Sequence, residues 1–360
     1  MAKQAGFWSL EDRLAEISEG GDPLETLNAT VDFEIFRPIL EQAAGAKRSP
    51  KGGRPAMDVV LKFRMLVLQS LHGLSLEATE KMGRDRLSWM RFCGLGIADP
   101  VPDANTLWDF REALIRADAL DDLFGRRDRA INSAGFIPRS GQIVDASLVA
   151  APRQRNTNGE KASIKEGKTA QEIWPDKPAK AAQKDTTARW TVKYSKAKAR
   201  ADGTKPVDIA IPIFGYKSHV SIARMHGIIR RQIVTDAGAH DGARLREGLI
   251  QSANTSGKVW AASAYRSAKN EAWLEAQGMK RQIHRRKPRG RPMPKRTSRA
   301  NGRKSAIRAK VEHVFGHQKG RMGLTIRTIG LARAKAAITI ANMDYNMTRL
   351  RWLLTQPAPV

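Results

Sequence analysis

The hydrophobic pattern of this 360-residue chain changes near residue 134, and that change limits the folds available to it. Before that point apolar residues recur at helical spacing, as in the run 59–71, which a His-Gly pair ends. After it, short β-rich runs alternate with helical ones. We therefore predict an all-helical N-terminal domain over 1–134. For 135–355 we predict an α/β domain with a mixed sheet flanked by helices.

Short helices joined by tight turns follow in the N-terminal part. Ser75 is expected to cap a helix that ends near Met82, a second helix covers 84–92, and Asp103 caps a third. Such helices with Gly-bearing turns indicate a helix-turn-helix-like unit, with a helical dimerisation module as the alternative. The single cysteine, Cys93, lies among apolar residues, so we expect a buried structural thiol in a reducing cytoplasm.

The charge balance indicates a polyanionic partner. The chain carries 63 Lys and Arg against 36 Asp and Glu, a formal net charge of +27. The stretch 276–311 holds fourteen Lys or Arg and no acid, which predicts a DNA-contacting basic loop over 280–304, or else a solvated loop. Its central cations are Arg285, Arg286, Lys287, Arg289 and Arg291. No signal peptide, lipidation motif or apolar run of about 18 residues is recognisable, so a membrane partner is not expected.

Residues 152–206 are polar and basic and interrupt the α/β pattern. We interpret them as a linker or insertion that orders on a ligand and tracks a DNA backbone. Trp174 and Trp190 are exceptions that either pack on a neighbour or stack on a base.

The remaining elements follow in alternation. Strands are predicted at 207–214, 216–222, 228–235, 258–261 and 279–284, and helices at 241–253 and 267–277. A C-terminal apolar stripe is expected to form a core or dimer seam, and it consists of Ile340, Met343, Met347, Leu350 and Leu354.

Two carboxylates stand out as candidates for chemistry. Asp145 lies inside the apolar strand 142–149, where an acid is costly unless it binds a cation or accepts hydrogen bonds. Glu312 lies on a predicted helix, four residues after Arg308 and seven before Lys319, where it would sit among cations. Two such acids are able to share Mg²⁺ or Mn²⁺ ions for phosphoryl transfer. The alternatives are a strand-end acid that caps a turn and an ordinary surface helix with an ion pair.

Several motifs occur together in a fixed order. They are Ile-Val-Asp145-Ala-Ser, Phe214-Gly-Tyr-Lys-Ser-His219-Val, Val234-Thr-Asp-Ala-Gly-Ala-His240-Asp241, Trp260-Ala-Ala262-Ser-Ala-Tyr265-Arg266-Ser and Arg308-x3-Glu312-x6-Lys319. With them the chain resembles the DDE transposases of the insertion sequence five family over roughly residues 54–354. The resemblance implies a ribonuclease H-like catalytic domain with Asp145, position 262 and Glu312 as the catalytic set. It also implies that Asp145 and Glu312 bind metal, with two Mg²⁺ or Mn²⁺ ions in an active protein.

The chain departs from that family's pattern at two positions. Ser305 stands where a Tyr normally precedes the Arg, which changes little, but Ala262 stands at the second catalytic Asp. A methyl group binds no metal, and Asp236 or Asp241 would need considerable displacement to replace it. We therefore expect this chain to be catalytically inactive, with metal occupancy reduced. The matching flanks favour a deliberate Asp→Ala replacement that traps a DNA complex over a naturally decayed copy.

The resemblance also implies a function and its partners. Lys319, Arg308 and Arg266 would contact DNA beside the scissile bond, together with the basic loop 280–304. The protein would be a bacterial, nucleoid-associated homodimer that binds terminal inverted repeats and target DNA. The alternatives are a non-catalytic DNA-binding protein such as a repressor, and a binder of structured RNA. His219 and His240 are interpreted as structural residues.

Overall fold

The computed structural model describes residues 9–45, 56–194, 204 and 207–356. It divides into two units. The first contains the residues up to Phe136, Gly320–Gly323 and the residues from Thr339 onward, and the second contains Ile137–Lys319 and Leu324–Ile338.

The first unit is helical. Its N-terminal helices are α1 (Ser9–Glu19), α2 (Pro23–Thr30), α3 (Arg37–Ala44), α4 (Val59–His72), α5 (Leu76–Asp85), α6 (Leu87–Cys93), α7 (Ala104–Arg116) and α8 (Leu120–Ser133). Helix α4 begins where the Asp58 carboxylate accepts hydrogen bonds from two backbone amides and ends at Gly73, which adopts the left-handed conformation. Ser75 and Asp103 cap α5 and α7 as predicted, and Cys93 is buried.

Helices α4 and α5 meet at 107° across a three-residue turn, which is helix-turn-helix-like geometry. The exposed charges of α5 are balanced, with Glu77 and Asp85 against Lys81 and Arg84. The Arg84 guanidinium also pairs with the carboxylate of Glu80 at 2.6 Å. This helix therefore offers no excess positive charge to phosphates, and both interpretations of the unit stay open.

No single helix in the described ranges has the length and apolar character to cross a membrane. The pair α4 and α5 meets that test only together, across its 107° bend.

The second unit is built on a mixed six-stranded sheet, as predicted. Its strands are β1 (Gln142–Ala150), β2 (Arg189–Tyr194), β3 (Ala210–Ala223), β4 (Ile229–Asp236), β5 (Lys258–Ala261) and β6 (Lys280–Ile283). Their order is β2-β3-β1-β5-β6, with β4 also paired to β3. β3 is antiparallel to its three neighbours, whereas β1, β5 and β6 run parallel. The arrangement is consistent with a ribonuclease H-like fold.

Helices flank this sheet. Those of the second unit are α9 (Asn158–Lys165), α10 (Ala170–Ile173), α11 (Pro178–Ala182), α12 (Asp241–Arg244), α13 (Ala268–Ala276), α14 (Lys295–Arg308), α15 (Glu312–Gly316) and the start of α16 (Leu331–Thr355). One core cluster contains Val144, Val259, Leu249 and Leu274, and a second contains Val149, Phe214, Ile326 and Ile338. Val144 and Val149 are an odd number of residues apart on β1, so their side chains point to opposite sides. The two clusters therefore lie on opposite faces of the sheet.

Two predicted strands form one. The runs 207–214 and 216–222 were expected to be separate, but β3 continues through Gly215. A Cβ at that position would lie 2.2 Å from the carbonyl oxygen of Val149, so glycine permits the close strand pairing. The predicted helix 241–253 is shorter, because α12 is followed by a π turn in which Gly248 has a φ of 90°.

The interpretation of 152–206 as an unstructured insertion is wrong for most of its length. α9, α10 and α11 fold around the buried Trp174, whose indole N–H donates to the Glu160 carboxylate at 2.8 Å. Trp190 lies on β2, 5.4 Å from the Phe214 ring. Residues 195–203 and 205–206 lie outside the described residues.

The predicted basic loop 280–304 is likewise shorter than expected. β6 occupies its start and α14 its end, so only 284–294 is irregular. Its second half forms a helix because residues 295–308 contain no proline and are rich in Arg, Lys and Ala, which favour helix.

The C-terminal helix departs from the expected domain boundary at 355. Residues of α16 from Thr339 onward group with the first unit, because four members of the predicted apolar stripe are buried there. Those four are Ile340, Met343, Met347 and Leu350, whereas Leu354 is exposed.

Candidate active site

Asp145 and position 262 are neighbours in the sheet. β5 runs parallel to β1, with Val144 paired to Ala261, and the next residue on each path is Asp145 and Ala262. Ala262 keeps an extended backbone, with φ −67° and ψ 165°. Because side chains alternate along strands, Asp145 lies on the face opposite Val144, whereas Ala262, just past the end of β5, packs against the cluster that contains Val144 and Ala261.

Arg308 brings the two candidate carboxylates together. Its guanidinium forms an ion pair with the Asp145 carboxylate and lies 3.8 Å from the carboxylate of Glu312, one helical turn further along. Asp145 also accepts a hydrogen bond from the amide of Ala146 at 2.9 Å. Burial raises the pKa of Asp145, and the Glu312 charge adds to that rise, while Arg308 opposes both.

The residues present do not fit a two-metal centre. Such a centre needs bridging carboxylate oxygens, but position 262 has only a methyl group and the Asp145 carboxylate is held by Arg308. Within the described part of the chain, no three His, Cys, Asp or Glu side chains cluster in a way that would hold a metal ion. The two-ion arrangement expected for an active protein therefore lacks one of its ligands here.

Asp236 and Asp241 have other partners. The Asp236 carboxylate accepts a hydrogen bond from the amide of Gly238 at 2.7 Å. The Asp241 carboxylate pairs with the Lys217 ammonium at 2.9 Å. Neither forms a three-ligand cluster with Asp145 and Glu312, so neither supplies the missing ligand.

Lys319 lies in the electrostatic field of Glu312. Much of its side chain is exposed, yet desolvation lowers the pKa of its ammonium group, and the charge of Lys193 lowers it further. Lys193 on β2 was not singled out from the sequence, because its segment was interpreted as an insertion. The alternation of apolar and polar residues from Trp190 to Tyr194 is the signal that would have found this strand.

The other predicted DNA contacts differ in their surroundings. Arg266 pairs with the Glu271 carboxylate at 3.0 Å, so its charge is already partly neutralised. Arg286 donates to the carbonyl of Ser263 at 3.1 Å, which ties the basic loop to the residue after Ala262. All five central cations of that loop are exposed: Arg285, Arg286, Lys287, Arg289 and Arg291.

Tyr265 and the two histidines occupy buried or capping positions. Tyr265 is buried beside β5, and its pKa is raised by burial and by the charge of Asp145. His219 is buried with Nε2 2.9 Å from the Thr235 hydroxyl, and His240 caps α12 through the amide of Gly242. Both histidines therefore have structural partners.

The comparisons with known families agree with this geometry. The family model described as Transposase domain (DUF772) matches residues 12–113, and the one described as Transposase DDE domain matches 137–347. The two together are typical of transposases like those of the insertion sequence five family. No curated protein and no solved structure matches the chain. A DDE domain that spans more than half of the sequence and contains both Asp145 and Glu312 identifies the chain as a member of the DDE transposases.

Proposed function

We propose that this transposase binds the terminal inverted repeats of its insertion sequence and does not cleave them, because position 262 lacks a carboxylate. DDE transposases carry out phosphoryl transfer on DNA with divalent metal ions. Ala262 supports the proposal because it immediately follows β5, level with Asp145 on β1. The carboxylate that would bridge two metal ions is missing at position 262, whereas the Lys and Arg residues proposed to contact DNA are present.

The residues of this chain supply binding and positioning. Lys319 and the basic loop place positive charge beside the two carboxylates, where a DNA phosphate is attracted. Arg308 neutralises Asp145 and so reduces repulsion between that carboxylate and a phosphate. The site thus holds a DNA backbone in place, and positioning is a large part of catalysis in this class of reaction.

The proposal includes assembly as a homodimer on two DNA ends, because a mobile element has two ends that must be joined to one target. The helical N-terminal domain and the basic residues of the catalytic domain are proposed to contact the repeats. A bacterial, nucleoid-associated location follows from that role.

The Ala262→Asp variant tests the proposal. It should nick a duplex that carries the inverted repeat flanking the gene, in the presence of Mg²⁺, while the parent chain binds the same duplex without nicking it. Ser263→Asp is the matched control, because it adds the same charge one residue further along, in the helical turn 263–265 that follows β5. Adding Glu312→Gln to Ala262→Asp should abolish the nicking again.

The alternative function is a repressor derived from a transposase. If the Ala262→Asp protein binds repeat ends with unchanged affinity and never cuts them under Mg²⁺ or Mn²⁺, the repressor is correct. If it prefers A-form RNA duplex of the same charge, both DNA functions are wrong.

A further inference from the structure

The strand β2 exposes a row of apolar side chains. Trp190 is 45%, Val192 50% and Tyr194 61% exposed, which is high for residues of these types within a regular strand. They are two residues apart, so they share one face of β2. β3 is the strand that pairs with β2 in the described ranges, so the row lies at an edge of the sheet.

This row lies on the sheet face that carries Asp145. Trp190 pairs with Phe214, and Asp145 pairs with Val220. Paired residues of antiparallel strands share a face, and Phe214 and Val220 are an even number of residues apart along β3, so all four share one face. Six residues of strand separate the two pairs, roughly 20 Å. A DNA segment held at the carboxylates would be long enough to reach the row.

The surroundings of the row are cationic. Lys193 lies between Val192 and Tyr194 with an exposed side chain. Its charge lowers the pKa of Lys319, and by alternation its side chain leaves β2 on the face opposite Trp190, Val192 and Tyr194, along the same strand edge. A second copy of the same edge would bring like charges together on a chain with a net charge of +27, whereas a polyanion would be attracted.

We propose that Trp190, Val192 and Tyr194 bind unpaired DNA bases by stacking, while Lys193 binds the neighbouring phosphate. The inference rests on the proposed function and extends it to the state of the DNA that is bound. In a duplex, the base faces are already stacked and only the edges are exposed in the grooves. Flat aromatic rings on a basic strand therefore favour bases that have left the helix, as at a frayed or cut end.

Binding to two labelled probes tests this inference. One probe is a fully paired repeat-end duplex and the other is the same duplex with four terminal bases unpaired, carrying 2-aminopurine in the unpaired strand. The parent chain should prefer the unpaired probe and quench the 2-aminopurine. Trp190→Ala and Tyr194→Ala should each weaken binding to the unpaired probe about 10-fold and leave binding to the paired probe unchanged.

Three further variants make the result specific. Trp352→Ala removes a tryptophan of similar exposure, 47%, on α16 and should change neither affinity. Trp190→Phe keeps a stacking ring and should retain the preference, even if Trp190→Ala perturbs the packing on Phe214. Lys193→Gln should weaken both probes alike and lower the salt slope of binding by about one.

Several results would overturn the inference. Equal loss on both probes, no loss on either, or absence of quenching would each exclude base stacking. A shift from dimer to monomer in Trp190→Ala, with the probe preference intact, would assign the row to self-association instead. If the parent chain binds neither probe, the proposed function fails as well, whereas the first three results leave it standing.

Discussion

Arg308 on α14 forms an ion pair with Asp145 on β1, across 163 positions of sequence, and places the two candidate carboxylates, Asp145 and Glu312, in one electrostatic environment. The pair is mostly buried, with the two side chains 24% and 15% exposed. Arg308 thus holds a strand and a helix together and also neutralises a carboxylate that is partly removed from water.

Replacing Arg308 with Gln should destabilise the protein. The neutral side chain would leave Asp145 and Glu312 facing each other without a cation, at an expected loss of about 2 kcal/mol in the free energy of unfolding. Urea unfolding at pH 7 measures it. Arg299→Gln on the exposed side of the same helix is the control and should change the free energy by less than about 0.5 kcal/mol. Equal stability of the parent and Arg308→Gln would contradict the structural role of the pair.

His219 should make the stability depend on pH. Burial lowers its pKa to about 4, so the folded protein keeps the ring neutral while the unfolded chain takes up a proton near pH 6.5. Between these values the unfolded state binds more protons, so stability is lost as the pH falls from 6.5 toward 4, by up to about 3 kcal/mol.

The His219→Gln variant should lack most of this dependence, and urea midpoints at pH 7, 5.5 and 4.5 would show it. His313→Gln, at an exposed position of α15, should keep the parent's pH profile. Parallel profiles for the parent and His219→Gln would show that other groups govern the acid sensitivity.

Gly73 and Gly94 form a matched pair for testing how closely the backbone at Gly73 is packed against Met322. Both end a helix in the left-handed conformation, with φ of 62° and 72°. A Cβ at Gly73 would lie 2.4 Å from the carbonyl oxygen of Met322, whereas at Gly94 it would meet nothing within 4 Å. Gly94→Ala should cost about 1 kcal/mol of conformational strain, and Gly73→Ala clearly more. Thermal unfolding of both variants measures the difference, and equal melting temperatures would mean that the backbone at Gly73 relaxes freely.

Asp344 on α16 should be better replaced by Asn. The side chain is fully buried, and burial raises its pKa well above the usual range, against which the Ser70 side chain acts only weakly because neither carboxyl oxygen makes a hydrogen bond of normal geometry. The folded state therefore holds a proton that the unfolded chain releases near pH 4, so stability falls as the pH rises above that value. Asp344→Asn should raise the free energy of unfolding at pH 8 by at least about 1 kcal/mol.

Thermal unfolding at pH 5 and pH 8 tests this prediction, because the gain should be larger at pH 8. Asp109→Asn, an exposed acid on α7, is the control and should give little gain at either pH. A destabilised Asp344→Asn protein would show that the carboxyl group has a partner that an amide does not replace.

Short-range sequence patterns predicted correctly those helices and strands that are determined by residues close together in the sequence. The caps at Ser75 and Asp103 and the strand around Asp145 follow from capping chemistry and from alternation along a few residues. The single long β3 did not, because the need for glycine at position 215 arises from the neighbouring strand β1. The fold of the insertion was also missed, since it depends on one buried tryptophan in a polar segment.

For the candidate site, the sequence supplied the acids but not what surrounds them. The family motif indicated Asp145 and Glu312, and the spacing of four residues suggested that Arg308 pairs with Glu312. The ion pair with Asp145 required the packing of α14 against the sheet, which no spacing rule contains. The same holds for Lys193 on β2, whose charge lowers the pKa of Lys319 although the two residues are far apart in sequence.

The adjacency of Ala262 and Asp145 also bears on the heredity of this gene. A single substitution at the second base converts an alanine codon that ends in a pyrimidine into an aspartate codon, and one that ends in a purine into a glutamate codon, so either change places a carboxylate at position 262. The backbone that would present the new carboxyl group is already extended and already level with its neighbour. If the proposed inactivity is correct, such a copy stays one point mutation from regaining a carboxylate at position 262, and a genetic selection for jumping elements would reveal the revertants.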